Sequence, residues 1–388
     1  MKKNSTAQQT VSKPRHRRAS KARRAKPNGP VAAVTQVVGV DIGDKTSRYC
    51  VLDGDGVVQV ERSVATTRQG MTQVFGKMGR SRVALEVGTH SPWVSRLLEG
   101  LGHEVIVANA RKVRIISEST RKDDRMDAQL LARLARVDPA LLFPIRHRGE
   151  PAQQHLTMIK ARAVLVDGRT AAVNAVRGLT KAFGERIGKC DADQMRVEKI
   201  ESLPAAVRSA LEPLLRVVES MTEQIQDYDR TLAEIARKEY PETALLEQIA
   251  GVGALIALTF ILTLDDGTRF GSSRDVGCFL GLRPKRHESG QSQPQLGITK
   301  EGDVYLRRLL VQGAHYILSK PAPDTDLKRW GEKLAGNGDK RAKKKAVVAV
   351  ARKLAVLLHH LWVSGEVYEP LRHSHAHFPD IHHQHRHG

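Results

Sequence analysis

The sequence predicts an α/β domain on a mixed sheet, followed by an all-α remainder. Two observations carry the first part: β-rich runs separated by strong turn signals from residue 36, then strand and helix patterns in alternation. The third is a change near residue 150, after which apolar residues recur at helical spacing almost to the end.

The elements follow in order. The first thirty residues are polar, proline-punctuated and basic, and predict a disordered arm over 1–35. "VTQVVGVDIGDKTSRYCVLDGDGVVQVERSV" holds three strand-like runs, parted by "GDK" and by the hairpin signal "DGDG". "RVALEVG" gives a fourth strand, "SPWVSRLLEGLG" a helix that ends in glycine, and "HEVIVANA" a fifth strand. "TRKDDRMDAQLLARLAR" is a further helix. The order βββ-α-β-α-β-α is that of a ribonuclease-H-like domain, here 36–150, with helices covering a mixed sheet. From 151 to 240, "TMIKARAVLVDGRTAAVNAVRGLTKAF" and "VVESMTEQIQDYDRTLAEIARKEY" predict long antiparallel helices or a short coiled coil, a spacer or dimerisation element. From 241 to 370 the chain is again helical. There "LLEQIAGVGALIALTFIL" sets Gly251 and Gly253 between apolar helical segments, as in a helix-hairpin-helix. Such glycines let backbone N–H groups approach a phosphate, and they equally suit a tight turn within a core. The tail 371–388 holds seven histidines without a metal-binding spacing and predicts disorder.

Charge narrows the function. The 388 residues carry 63 Lys and Arg against 42 Asp and Glu, a net +21. Residues 1–30 contribute ten basic groups and no acid, so the rest of the chain is still basic. This points to a partner rich in phosphate, since Lys and Arg contacts release counterions from nucleic acid. It argues against a metabolic enzyme for small neutral substrates. Cys50, Cys190 and Cys278 lie far apart, without disulfide or zinc spacing, which predicts a reducing cytoplasm. The apolar stretch "IAGVGALIALTFILTL" is short for a membrane span and reads as buried helix, so no membrane partner is expected.

Acids are the exception in so basic a chain, and some fall where a catalytic sheet would hold them. Asp41 ends the first strand, Glu86 is the single acid of the fourth, and three aspartates crowd the helix near 124. Carboxylates gathered together raise one another's pKa unless a cation joins them. Hard oxygen donors suit Mg²⁺, and paired ions of this kind serve phosphoryl transfer. Asp127 shares a helix face with Leu130, Leu131 and Leu134 and so points towards the sheet. Asp123 and Asp124 both fit that face, and helical geometry does not choose between them. The bland alternatives are a strand-end turn for Asp41 and a helix N-cap for Asp123, the second being preferred. An actin-like or sugar-kinase ATPase could open with the same "VDIGDKTSRYCVLDGDG", but its second phosphate loop and adenosine segment have no counterpart downstream.

Together "GVDIGDKTSRYCVLD", "ALEVGTHSPWVSRLLEGLGHEVIVANARKVR", "TRKDDRMDAQLLARLA", "GLRPKRHESGQ" and "GITKEGDVYLRRLLVQGAHYIL" resemble the Asp-Glu-Asp-Asp transposases of insertion-sequence family 110. The likeness runs in order from about 37 to 370. It implies a RuvC-like catalytic domain, a coiled coil and a C-terminal transposase domain. It also implies strand exchange between donor and target DNA by a homo-oligomer, dimer or tetramer, guided by an element-encoded RNA. The family's helix motif aligns with "KDDRMDA" at Asp124 and Asp127, leaving Asp123 on a variable position. Asp41 and Glu86 match the first two carboxylates, and all four would hold Mg²⁺. The family's nucleophilic serine aligns with Ser289, although Glu288 stands where many relatives have a second serine, and Ser292 lies nearby. A phosphoserine–DNA intermediate follows from that match, with Arg307 and Arg308 as phosphate or RNA contacts. Carboxylates and serine would come from different subunits of a cytoplasmic, nucleoid-associated enzyme. The competing expectations are a RuvC-like structure-specific endonuclease using the carboxylates alone, and a nucleic-acid-binding protein without chemistry.

Overall fold

A computed structural model of the chain describes residues 36–109, 112–113, 124–285 and 296–372, with backbone alone at 124–126. The expected arm 1–35 and nearly all of the histidine tail lie outside these residues. The chain divides into two compact units, residues 1–147 and 148–388.

The first unit holds β1 (Val37–Asp41), β2 (Thr46–Leu52), β3 (Val58–Ala65), α1 (Arg68–Phe75), β4 (Arg82–Glu86), α2 (Ser91–Gly100), β5 (Glu104–Ala108) and α3 (Asp124–Val137). The five strands form one sheet in the order β3-β2-β1-β4-β5. β1, β2 and β3 pair antiparallel, whereas β4 pairs parallel with both β1 and β5, so the sheet is mixed as expected. The β2–β3 turn is closed by Asp53, whose Oδ1 accepts from the backbone N–H of Asp55 at 3.0 Å and of Val57 at 2.9 Å. Those bonds hold its carboxyl below the usual carboxylate range.

Strand alternation sorts side chains to two faces. Val38, Val40, Val83, Leu85 and Val107 form one core with Met71 and Phe75 of α1 and Val94 and Leu98 of α2. On the opposite face Val37, Ala84, Ile106 and Ala108 pack under Leu131 and Ala135 of α3. Cys50 and Leu52 meet Ala128 and Ala132 of the same helix. One glycine sets how closely α3 lies. A Cβ at Gly39 would stand 1.9 Å from the Ala128 carbonyl oxygen and 2.6 Å from the Ala132 nitrogen. The helix therefore rests directly on the middle of β1, which only a residue without a side chain permits.

The second unit starts with α4 (Glu150–Lys181) and α5 (Ala205–Glu239). Their contacts run in opposite directions: His155 with Tyr240, Arg162 with Asp229, Arg169 with Thr222. The pair is an antiparallel hairpin, closed at its tip by Met195, Ile200 and Leu203. After it come α6 (Thr243–Glu247), α7 (Ala254–Leu264), α8 (Ser273–Phe279), α9 (Val304–Ile317), α10 (Asp326–Ala335) and α11 (Lys340–Ser364). The sequence pattern sets the hairpin apart as a region of its own between 151 and 240. Instead Ala152, Leu156, Ile159, Leu232 and Ala236 share a core with Leu258 and Leu262 of α7, because the base of the hairpin needs that apolar cover.

α7 is buried along nearly its whole length, as its composition requires. α11 is long and apolar enough to cross a membrane by length and composition alone. Here its Val347, Val350, Ala351, Leu354, Ala355 and Leu358 form the middle of the unit's core, against α8, α9 and α10. It reads as a core helix.

Candidate active site

Three of the four expected carboxylates come to one face of the sheet. Val40 pairs with Leu85 in parallel register, and Asp41 and Glu86 are the next residue on each strand. Both share the parity of Val37, Gly39 and Ala84, the residues that face α3. Neighbouring strands lie about 4.8 Å apart, so these two carboxylates end adjacent strands side by side. Asp127 stands one turn before the buried Leu131 on the helix that covers this face. Its charge reaches Glu86: burial first, and Asp127 second, push the Glu86 carboxyl above its ordinary range. Asp124 opens α3 and so lies one turn before Ala128, the residue seated on Gly39. Its side chain and all of Asp123 lie outside the described residues.

Asp41 and Glu86 also line an open cleft of about 280 Å³, together with Ile42, Asp44, Val87, Gly88, Thr89 and His90. Both walls are tied down. The Thr66 hydroxyl donates to the Gly43 carbonyl at 2.9 Å and pairs with the Ser47 hydroxyl at 2.8 Å, fixing the turn after β1. Across the cleft, Ser91 Oγ accepts from the Gly88 N–H and donates to the Gly88 carbonyl, fixing the loop after β4. His90 is a site residue that the sequence reading misses. Its signal was the spacing of "HSPW": Trp93 Nε1 donates to His90 Nδ1 at 3.1 Å, and His90 Nε2 lies 3.3 Å from Asp44 Oδ1.

The donor chemistry fits a hard divalent cation. All four expected ligands are carboxylates, and the proton affinity of Glu86 is raised by burial and, after that, by the like charge of Asp127. Among the described residues, no three of His, Cys, Asp and Glu are grouped closely enough to hold an ion.

The second unit contains the other expected residues. Ser289 and Ser292 lie outside the described residues. The two stems that lead to that stretch are described, and they are joined. The Lys285 N–H donates to the Gly297 carbonyl and that of Thr299 to the Arg283 carbonyl, each at 2.9 Å, around a Pro284–Ile298 bridge. At the root, Gly281 and Gly302 have φ of +67° and +78°. A Cβ on the first would meet the Glu301 carbonyl oxygen at 2.1 Å, and on the second that of Phe279 at 2.1 Å.

Arg307, expected to contact phosphate or RNA, is 9% exposed. Its Nη1 donates to the carbonyls of Leu280 at 2.9 Å and Glu301 at 2.8 Å. A buried guanidinium so engaged braces the root of the Ser289 stretch, and this corrects its expected role. Arg308 is exposed, lies 5.0 Å from the Tyr305 ring centre and bonds Asp167 at 2.9 and 3.1 Å. Gly251 has φ +90°, and a Cβ there would come within 3.0 Å of the Gly313 carbonyl oxygen and 2.9 Å of Tyr316. It makes a tight turn onto α9. Gly253 is exposed and N-caps α7, with open space around it.

Known proteins resemble this chain along most of its length. A family model described as a transposase, of the DEDD type of IS110 elements, matches residues 38–183. One described as transposase of the IS116/IS110/IS902 family matches residues 243–327. The transposase for insertion sequence element IS1111A of Coxiella burnetii is 29% identical over 86% of this chain and 91% of its own. The Sinorhizobium fredii protein y4pF/y4sB, assigned as a transposase, is 30% identical over 85% of both chains. The transposase for element IS1328 of Yersinia enterocolitica is 26% identical over 86% of this chain and 98% of its own.

Proposed function

The chain belongs to the IS116/IS110/IS902 family of transposases, and on that premise we propose that it moves its element by divalent-metal-dependent cleavage and exchange of DNA strands at the carboxylate face of the sheet. One observation carries the reading. Asp41 and Glu86 end adjacent parallel strands on the face covered by α3, where burial first and Asp127 second raise the proton affinity of Glu86. A basic chain that crowds acids in one cleft has use for a cation there.

In this reading the fold is RuvC-like, and Asp41, Glu86, Asp124 and Asp127 hold Mg²⁺. When bound, the ion supplies Lewis acidity at a phosphate oxygen. Ser289 supplies the nucleophile: its Oγ–phosphorus bond forms as the phosphorus–oxygen bond to one DNA strand breaks, and the proton that Oγ loses is balanced by one taken up by the released oxygen, which becomes the strand's hydroxyl. A serine hydroxyl is a weak nucleophile at its free pKa and needs this assistance. The root formed by Gly281, Gly302 and Arg307 supports the stretch that carries it. An element-encoded RNA selects donor and target DNA, and an oligomer brings carboxylates and serine together from different copies. Arg308, Gly253 and the basic surface are the contacts proposed for the nucleic acids.

The test incubates the protein, RNA transcribed from beside its gene and both DNAs with Mg²⁺, and looks for protein covalently joined to DNA on a denaturing gel. Ser289→Ala is expected to remove that band. Cleavage that survives Ser289→Ala and is lost in Asp127→Ala would replace the proposal with a RuvC-like endonuclease acting through its carboxylates alone.

A further inference from the structure

His90 faces the same cleft as Asp41 and Glu86, and its hydrogen bonds define what it can do there. An indole N–H is a donor only. Trp93 Nε1 lies 3.1 Å from Nδ1, so this contact calls for a lone pair on Nδ1 and leaves the ring proton to Nε2. A doubly protonated imidazole would set two N–H groups against each other at that contact. Nε2 is thereby a donor, and its present acceptor is Asp44 at 3.3 Å. That bond is long, and the Asp44 side chain is 88% exposed, so an incoming acceptor displaces it at small cost.

With Nδ1 taken by Trp93 and Nε2 protonated, the ring has no lone pair left for a metal. His90 therefore does not enlarge the carboxylate site; it presents a hydrogen-bond donor beside it. The position is prepared in advance. The indole stands at 90° to the imidazole with ring centres 6.2 Å apart. The Arg68 guanidinium lies 5.7 Å from the indole centre. Ser91 Oγ, bonded to both backbone groups of Gly88, also meets His147 Nε2 at 2.9 Å. His90 is moreover the N-cap of α2 and makes no side-chain cap bond, so the positive end of that helix adds to the attraction for an anion.

We propose that His90 donates from Nε2 to a non-bridging oxygen of the DNA phosphate held in this cleft, with Trp93 as the positioning residue that fixes its tautomer. The proposal rests on the reading of the carboxylate face as the cleavage site.

The experiment measures Mg²⁺-dependent cleavage of element-end DNA across a range of DNA concentrations, for the wild type and for His90→Ala, His90→Gln, Trp93→Phe and Asp127→Ala. His90→Ala is expected to lower the maximal rate on the order of 10²-fold with little change in half-saturating DNA, as removal of one donor to a developing charge does. His90→Gln places an amide N–H near Nε2 and should restore most of the rate, and Trp93→Phe should fall between. Nitrogen-15 NMR of histidine-labelled protein reads the tautomer directly, the His90 signal being the one lost in His90→Gln. Nε2 should carry the proton in the wild type, and the two tautomers should mix in Trp93→Phe. A wild-type cleavage rate in His90→Ala, or a proton on Nδ1, overturns the proposal. If Asp127→Ala is dead while His90→Ala is fully active, the proposal falls alone. If both cleave, the reading of the site falls with it.

Discussion

Two residues with the same charge and adjacent numbers do opposite things here. Arg307 is buried on two backbone carbonyls, whereas Arg308 is exposed beside Tyr305 and Asp167. Arg307→Met leaves both carbonyls without their donor and should cost about 2 kcal/mol, read as a lower denaturation midpoint. Arg308→Ala should shift stability by under about 1 kcal/mol, since exposed ion pairs contribute little. It should instead weaken binding to DNA or RNA and flatten its salt dependence. Glu86 carries a different kind of cost. Its carboxyl is pushed up in the folded protein by burial and by Asp127. The folded state therefore holds that proton more tightly than the unfolded chain does. The resulting stabilisation is full below the ordinary glutamate range and is lost as pH rises through the raised value. At neutral pH and without divalent ions, Glu86→Gln should melt higher than the wild type, the gap closing in acid. The same variant should lose strand cleavage by about 10²-fold or more. Equal melting at neutral pH, or retained cleavage, would show that Glu86 is an ordinary surface acid.

At the scale of elements, the sheet was legible because each strand has a distinct apolar pattern bounded by "GDK", "DGDG" and glycine. The five strands and the helices after β4 and β5 appear in the described residues as expected, whereas α1, between β3 and β4, answers to no stretch singled out in the sequence. Asp41 and Glu86 could be read as strand ends for the same reason. The closeness of α3 to β1 was not legible. It depends on Gly39, whose role shows only once Ala128 and Ala132 are known to rest on it. His90 escaped notice because the spacing in "HSPW" gains its meaning only once Trp93 folds back onto the histidine. Arg307 misled for the opposite reason: a basic pair on a helix looks solvated, and only the loop root shows which of the two is buried. Gly39→Ala should force α3 off β1, lowering stability by about 1–3 kcal/mol. It should also reduce cleavage out of proportion, because the helix that moves carries Asp124 and Asp127. Thermal melting and a cleavage assay on one preparation test this; a variant that melts lower but cleaves normally would show that α3 placement does not set the site.

For the whole molecule, charge is the dominant feature. Ten of the basic residues lie within the first thirty, with no acid among them. If that arm tracks phosphates, deleting 1–35 should weaken DNA binding most at low salt. The log–log dependence of affinity on salt should then fall by about 0.9 for each phosphate that the arm had neutralised. An unchanged slope would make the arm a leader without a part in binding. The acids work against this background, and the claim that they form the catalytic centre turns on which of three aspartates near the start of α3 matter. Strand cleavage should be measured with Asp123→Ala, Asp124→Ala and Asp127→Ala at matched protein and Mg²⁺ concentrations. Activity close to wild type is expected at 123, and none detectable at 124 or 127. Loss at 123 together with tolerance at either of the other two would contradict the assignment of the carboxylate centre.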